Sequence, residues 1–585
     1  MKWKIINELN IKSSKLKNGG VKESFDVEGV VGMLLRNRGL TTEKEREEFL
    51  SPEDPMGDGF RGKLVKGELK RGLERAVKRV VQAIEAGEEI VVYGDYDADG
   101  ICGTAILWET LNEIGARVLP YIPERFTEGY GLNVESVKRL KEERPGMNLV
   151  ITVDHGIVAG ERIESLKGLV DVVVTDHHQP SEASFEKLGK VACAVVYTTK
   201  LSGSGVSWLL AYALWQEASS KKWGRVMGVD LREKLGLVAI GTVADLLPLL
   251  GVNRSLVKWG LAALRKTNRP GIRYLCEKIG IKQSEIDTYQ IGFMLAPRLN
   301  AMGRMEHAME SLRLVCTRRN ERALGLAEKL QNVNRERQRV LDETVERAKM
   351  VWGKRKEKLI FIADESFHEG VIGLVAGRLV EEYWLPAIIV SKGERYSKAS
   401  ARSIVGLNMI EFIREAGELL VDAGGHPMAA GFTVETAKLG ELAKFLTEKA
   451  EEKLTEDLLE RVLTIDAEIS LASLSEVLWS ELSKMAPFGL GNPQPVFETR
   501  DVEVVGVKLV GREGQHLKLE LRQGGARGKV NYEAIWFGVG ERYAEFLRGQ
   551  VVDVAYNLVA NEWGGERRLE LRLKDVRWKE ESQRA

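Results

Sequence analysis

The sequence predicts an α/β protein: two α/β lobes joined by a long helix, followed by a small all-β barrel. Three observations lead there. Short, β-branched apolar runs alternate with helical stretches over residues 71–265, and the alternation resumes at Leu359-Ile360-Phe361-Ile362-Ala363. Between these stretches, residues 311–360 carry 14 Lys or Arg against 7 Asp or Glu, with an apolar period near 3.6. Beyond Leu463 the pattern changes to alternation with a period of two, the mark of half-buried strands.

Taken in order, residues 1–70 predict a helical cap, centred on the charged run from Thr41 to Leu50 and closed by a Gly- and Pro-rich loop over 51–62. Residues 71–265 predict a parallel sheet. Its strands are Ile90-Val91-Val92-Tyr93, Leu149-Val150-Ile151-Thr152-Val153 and Val170-Asp171-Val172-Val173-Val174, near-continuous apolar runs of the kind buried on both faces. Residues 103–114 and 134–143 supply crossover helices. Residues 266–357 predict a helical connector whose long basic helix shows an apolar stripe through Ala323, Leu326, Leu330, Val333 and Val340. Residues 358–455 predict the second α/β lobe, and 463–580 a small antiparallel barrel, with strands at 502–507 and 516–521. A chain of 585 residues is expected to hold three or four such units.

Composition narrows the class. The 86 basic and 86 acidic residues cancel, so total charge points to no polyanionic partner and only local patches can. Cys102, Cys193, Cys276 and Cys316 are scattered without paired or zinc-type spacing, as expected in a reducing cytosol. Residues 1–14 lack a signal-peptide core, and the longest apolar stretch, 237–252, is interrupted by Asp245 and Pro248 and is too short to span a bilayer. The expectation is a soluble, cytoplasmic protein.

The chemistry concentrates in four clusters, each following an element that reads as a strand: Gly94-Asp95-Tyr96-Asp97-Ala98-Asp99-Gly100, Val153-Asp154-His155-Gly156, Thr175-Asp176-His177-His178 and Gly241-Thr242-Val243-Ala244-Asp245. In parallel α/β sheets the loops beyond the carboxyl ends of the strands meet in one crevice. Asp97 and Asp99 share a Gly-flanked turn, and Asp154 and Asp245 add two carboxylates from neighbouring strand ends. Carboxylates so grouped repel one another unless cations join them. His177 adds a nitrogen ligand, and a mixed oxygen and nitrogen shell suits Mn²⁺, with Mg²⁺ the alternative. Two such ions about 3.5–4 Å apart predict in-line, metal-assisted hydrolysis of a phosphoester. His178 is placed to contact the scissile phosphate or to protonate the leaving oxygen. Singly, each feature has an ordinary reading: Asp99-Gly100 as a turn, His155 as a helix cap, His177-His178 as a surface pair. Their repetition after successive strands favours the metal site.

In this order the clusters resemble the motifs of the DHH phosphoesterase family, whose defining triplet is Asp176-His177-His178 here. The resemblance extends to its RecJ branch, from about residue 25 to the end, through the segments beginning Pro123-Glu124-Arg125, Ala296-Pro297-Arg298, His368-Glu369-Gly370, Gly424-Gly425-His426 and Ala486-Pro487-Phe488. It implies a 5′-to-3′ exonuclease that degrades single-stranded DNA to mononucleotides in recombinational and mismatch repair. Asp97, Asp99, Asp154, His177 and Asp245 fall on the family's metal ligands, with Asp154 as the bridge, and Asp95 and His178 on further active-site positions. Tyr93 stands where some members have a histidine, which leaves one metal with one imidazole fewer.

The same resemblance implies a 5′-phosphate pocket from Arg125 with Ser400 and Arg402, a glycine-rich substrate motif at Gly424, Gly425 and His426, and a cleft lined by Arg298, Asn300 and Arg304. Arg304 has an alternative pairing with Glu306 or Glu310. In the barrel, which resembles oligonucleotide-binding folds, Trp536, Phe537, Tyr556 and Trp563 are candidate stacking platforms, although aromatics on strands are more often core and residues 500–575 balance 13 basic against 12 acidic residues. The expected partners are single-stranded DNA, a single-strand-binding protein and a helicase; a monomer with no membrane association is expected. A small-substrate enzyme of the same family, a non-catalytic scaffold and a relative working with the archaeal replication machinery are the competing readings.

Overall fold

A computed structural model of the chain describes residues 1–6, 26–221, 223, 228–353, 355–525, 528–563 and 566–578. They fall into two units: Glu53–Leu459, and Met1–Pro52 together with Glu460–Ala585.

The first unit opens with a five-stranded parallel sheet made of β1 (Glu89–Gly94), β2 (Arg117–Tyr121), β3 (Met147–Val153), β4 (Asp171–Asp176) and β5 (Ala194–Tyr197), in the order β2-β1-β3-β4-β5. The chain leaves β1 for one neighbour and returns on its other side as β3, so the switch point of the sheet lies between these two strands. That is where the loops diverge and a ligand crevice opens. Burial is complete or nearly so for Ile90, Val91, Val92, Leu149, Val150, Ile151, Val172, Val173 and Val174, as the apolar runs require. Helix α1 (Ala98–Glu113) follows β1, and α2 (Gly203–Ser220) and α3 (Leu231–Ala244) pack beside it. Helix α4 (Ala296–Met305) continues a π-helical turn, Gln290–Leu295.

The connecting helix α5 (Asn320–Trp352) is 33 residues long. Its first half buries Leu326, Ala327 and Leu330 in the core of the first lobe, and its second half buries Val345, Ala348 and Trp352 in that of the second. The second lobe comprises β6 (Ile360–Asp364), α6 (Ile372–Tyr383), β7 (Ala387–Ser391), β8 (Tyr396–Arg402), α7 (Met409–Arg414), β9 (Leu420–His426) and β10 (Ala429–Glu435). Its sheet runs β9-β10-β8-β7-β6; β6 and β7 are parallel, the other pairs antiparallel, and β9 is an edge.

In the second unit, β11 (Phe497–Val510), β12 (His516–Gly525), β13 (Gly528–Trp536), β14 (Val551–Trp563) and β15 (Glu566–Trp578) close into a five-stranded barrel through the β11–β14 pairing. The amino terminus belongs here, which corrects the expectation of a cap over residues 1–70. Strand Lys2–Ile5 pairs with Val462–Ile465, Trp3 Nε1 donates to Asp575 at 2.8 Å, and Arg38 reaches Asn492 at 2.8 Å. The helix Glu43–Leu50 starts at a capping box of Thr42 and Glu45. Two of the candidate stacking platforms take the ordinary reading for strand aromatics and are core: Trp536 is buried and Tyr556 fully so, its hydroxyl 2.8 Å from Thr499 Oγ1. Phe537 is exposed, with the Arg572 guanidinium 5.8 Å from its ring centroid; the Trp563 side chain lies outside the described residues. Among the described residues no helix is long and apolar enough to cross a membrane.

Candidate active site

The first cluster turns directly from β1 into α1. Asp97 is the N-cap, accepting the amides of Asp99 at 2.9 Å and Gly100 at 3.0 Å, so the turn is held by one of its own carboxylates. Asp99 points the other way, into the amino end of α2, where Gly203 and Ser204 donate backbone N–H groups at 2.6 and 3.0 Å. The positive end of a helix is a favourable neighbour for a carboxylate. Asp154 follows β3 in the left-handed region, at φ 65°. The fit leaves no room for larger residues: a Cβ on Gly203 would lie 2.5 Å from the Asp154 carboxyl, and one on Gly241 would lie 2.1 Å from Asp99 Oδ1.

Asp245 corrects the expectation of a fourth strand end. It is the C-cap of α3, a helix buried along most of its length, and so reaches the cluster from a helix end rather than a strand end. His177, after β4, places Nε2 3.0 Å from Asp154 Oδ1 and 3.4 Å from Asp245 Oδ2. Three ligand sets arise in which the donor atoms lie within 4.8 Å of one another: Asp95, Asp97 and Asp154; Asp99, His177 and Asp245; and Asp154, His177 and His178. Asp154 belongs to two of them. Asp154 Oδ1 and His177 Nε2, both buried, face each other at 3.0 Å without the alignment of a hydrogen bond, an arrangement that is costly for interior polar atoms and is relieved by a cation. Oxygen donors with one or two imidazoles fit Mn²⁺ or Mg²⁺.

Electrostatics tell the same story. Burial, then mutual repulsion, raises Asp95, Asp97 and Asp154 above the usual carboxyl range and brings Asp245 to about 8. Burial lowers His177, keeping its imidazole a neutral donor. Burial also opposes a charge on His178, but the hydrogen bond to Asp176, 2.8 Å from Nδ1, and that carboxylate's charge raise it to about 9. Asp176 thus stands outside the ligand sets and orients its neighbour. It accepts the amides of Ile157 and His178 as well, and these bonds hold its carboxyl low despite burial. His155 caps no helix: it is buried beneath the site, with Nε2 3.1 Å from the Tyr93 carbonyl, and burial lowers it to about 4. The Tyr93 hydroxyl is turned to the Asn133 amide, 3.4 Å away.

The second lobe meets this cluster at His426, whose ring stacks on that of His178 with centroids 6.0 Å apart. Ser400 and Arg402 lie on β8, Arg402 donating to Ser400 Oγ at 3.2 Å. A Cβ on Gly373 would come within 3.0 Å of both, so they border the first turn of α6, which has no side-chain cap. Arg125 lies over the Tyr96 ring at 5.1 Å. Arg304 pairs with neither Glu306 nor Glu310. It donates to the Gly370 carbonyl at 3.2 Å, while Glu306 pairs with Lys329 and Glu310 with Arg313. Burial and the charges of Arg125, Arg337 and Arg402 bring it down to about 10. Asn300 accepts the Ala98 amide N–H at its side-chain Oδ1, 2.7 Å away, and so positions the aspartate turn, and Arg298 ties α4 to Gln331 of α5 at 2.7 Å. Arg337 is the residue that sequence reasoning missed: it is buried, its Nε has no partner, and only the basic excess of α5 hinted at it.

Comparison with known proteins adds three domain matches: the DHH family, N-terminal domain, on residues 89–242, the DHHA1 domain on 356–452 and the RecJ OB domain on 465–575. Over 587 residues the chain is 33% identical to the single-stranded-DNA-specific exonuclease RecJ of Bacillus subtilis, a match covering 98% of this chain and 71% of that protein. It is 34% identical to the RecJ of Thermus thermophilus, covering 87% of this chain and 71% of that one. The crystal structure of the Thermus thermophilus protein in complex with Mn²⁺ superposes with a TM-score of 0.79 at 28% identity, covering 99% of this chain and 80% of that one.

Proposed function

This chain belongs to the RecJ family of single-stranded-DNA-specific exonucleases, and on that premise we propose a metal-dependent 5′-to-3′ exonuclease that hydrolyses single-stranded DNA to 5′-mononucleotides in DNA recombination and repair. The observation that carries this reading is the convergence of buried carboxylates on Asp154 Oδ1 and His177 Nε2, both without hydrogen bonds. Asp97, Asp99, Asp154, His177 and Asp245 would hold two divalent ions, Mn²⁺ or Mg²⁺, with Asp154 common to both and Asp95 beside them. Ions held there supply Lewis-acid charge to the phosphodiester and make water a stronger acid.

The side chains do the rest. Asp176 engages Nδ1 of His178 and keeps that imidazole charged, leaving Nε2 to donate to the phosphodiester or to the departing 3′ oxygen. Arg125, Ser400 and Arg402, with the first turn of α6, receive a 5′-terminal phosphate, since a guanidinium donates in a fork and helix N-termini favour anions. Water attacks the first internucleotide phosphorus, and the bond to the 3′ oxygen of the terminal nucleoside breaks. The phosphorus stays on the shortened strand, so each cut regenerates the 5′-phosphorylated end that the pocket requires. Arg298, Asn300, Arg304, Gly424, Gly425 and His426 line or position the strand's path. A helicase and a single-strand-binding protein would supply and cover the strand, and the chain would act as a cytoplasmic monomer.

The test is digestion of 5′-phosphorylated, 3′-labelled single-stranded DNA with Mn²⁺, Mg²⁺ or chelator, beside Asp154→Ala. Shortening from the 5′ end that needs both the cation and Asp154 supports the reading. Turnover of dinucleotides alone moves the chain to the small-substrate branch, and digestion of a blunt duplex removes the single-strand restriction.

A further inference from the structure

Helix α3 ends in a way that its sequence does not favour. The amide of Leu246 donates to the Val243 carbonyl at 3.3 Å and that of Leu247 to the Thr242 carbonyl at 3.2 Å. These bonds close the last turn in a Schellman motif, with Leu246 in the left-handed region at φ 56°. The same pair of bonds closes helices at Gly39, Gly87, Gly115 and Gly280, each a glycine with positive φ. A Cβ makes that conformation costly for leucine. Burial does not compensate, because Leu246 is 71% exposed. Neither the backbone nor the core therefore accounts for a leucine at this position. Strain of this kind persists where function uses it.

The location supplies a use. Leu246 follows Asp245, and Asp245 is the open edge of the carboxylate cluster: its side chain is 31% exposed, against 3% for Asp154 and 10% for His177. A phosphodiester that approaches the recessed ligands from this edge comes in beside Leu246. The adjoining surface suits flat rings. The π-helical turn Gln290–Leu295 lies against α3, where a Cβ on Gly292 would be 3.8 Å from Val243, and it carries the exposed ring of Phe293, stacked on exposed Tyr289 with centroids 4.9 Å apart. A rigid, exposed leucine in such a place matches the apolar wedges with which proteins part neighbouring bases. A stacked step resists the turn of the backbone that lowers its phosphate onto recessed ligands, so parting the bases favours cleavage.

We propose that Leu246 is such a wedge: its side chain enters between the base of the departing nucleotide and the next base, and makes cleavage indifferent to how strongly the two stack. The proposal rests on the exonuclease reading. Its test is single-turnover cleavage of 5′-phosphorylated oligo(dA), whose bases stack strongly, and oligo(dT), whose bases hardly stack, by the full chain in Mn²⁺. Relative to wild type, Leu246→Ala and Leu246→Gly should slow the oligo(dA) reaction at least about tenfold more than the oligo(dT) reaction, the cost of an unstacking step that the protein no longer assists. Leu246→Met, which keeps a long apolar side chain, should keep the wild-type ratio. The side chain is exposed, so the variants should melt with the wild-type Tm. Equal slowing on both polymers, or no slowing on either, overturns the wedge. So does a loss that excess Mn²⁺ restores, since Leu246 would then act through Asp245 as a metal ligand. A wild-type chain that cleaves neither polymer rejects the exonuclease reading itself, an outcome separate from any change in the ratio.

Discussion

Helices α1 and α3 each carry acidic groups at both ends, and the two ends are solved differently. At one end Glu109, Glu113 and Glu233 meet Arg269 and Lys234. Arg269 grips Glu109 with two bonds of 2.8 and 2.7 Å and Glu233 with two of 2.6 and 2.7 Å, and Lys234 reaches Glu113 at 2.8 Å. Burial raises Glu113 despite Lys234 and would raise Glu109, yet Arg269 and Lys234 hold Glu109 below the usual range. At the other end Asp99 and Asp245, with Asp95, Asp97 and Asp154, meet no Lys or Arg in an ion pair among the described residues, and Asp95, Asp97, Asp154 and Asp245 are raised. Burial is common to both ends. The counter-charge is what differs: the glutamates meet theirs within the chain, and the aspartates, on the proposed function, would meet theirs in cations from solution.

The comparison breaks most severely at Arg269. Arg269→Met leaves Glu109 and Glu233 without their guanidinium and should cost about 3–5 kcal/mol of stability, read by denaturant unfolding, with no recovery in Mn²⁺. A midpoint restored by Mn²⁺ would mean that the two clusters are not distinct. Asp154→Asn acts in the opposite sense. It should lower turnover of single-stranded DNA roughly a thousandfold, about 4 kcal/mol in the barrier, while the chelated protein becomes more stable than the chelated wild type because one like charge is gone. A chelated variant that melts earlier contradicts the repulsion argument.

Asp176→Asn and Asn300→Ala probe groups that orient others, and each should reduce activity about ten- to a hundredfold, with folding and the Arg269 cluster untouched. The smallest effect is in the melting temperature. In chelator the raised carboxyls take up protons on folding, so their contribution is fully present below the ordinary carboxyl pKa and is lost as pH rises towards about 8, where Asp245 ionises. Cations compete with those protons. The Tm difference between Mn²⁺-loaded and chelated protein should therefore widen by a few degrees from pH 6 to pH 8. A constant gap across that range contradicts the proton competition.

Local pattern made much of this legible. The runs at β1, β3 and β4 could be read as buried parallel strands, and turns such as Asp97-Ala98-Asp99-Gly100 sit where such strands must end. Asp245 was misread because Leu237-Val238-Ala239-Ile240 is apolar on every side, and a buried helix and a buried strand look alike over so short a run. Trp536 and Tyr556 carry both a platform and a core reading for a related reason: alternation gives two faces, and only barrel closure says which is the core.

The sequence by itself determined most of the elements, their order and the residue types able to bind cations, because each depends on neighbours a few positions away. Tertiary structure decided which of them meet. Asn300 clamping the Asp97 turn, His426 against His178, the charge of Arg337 acting on Arg304, and Arg269 rather than a metal neutralising Glu109 are interactions between distant segments. A carboxylate's chemistry follows from the charge it faces, and that partner is chosen by packing.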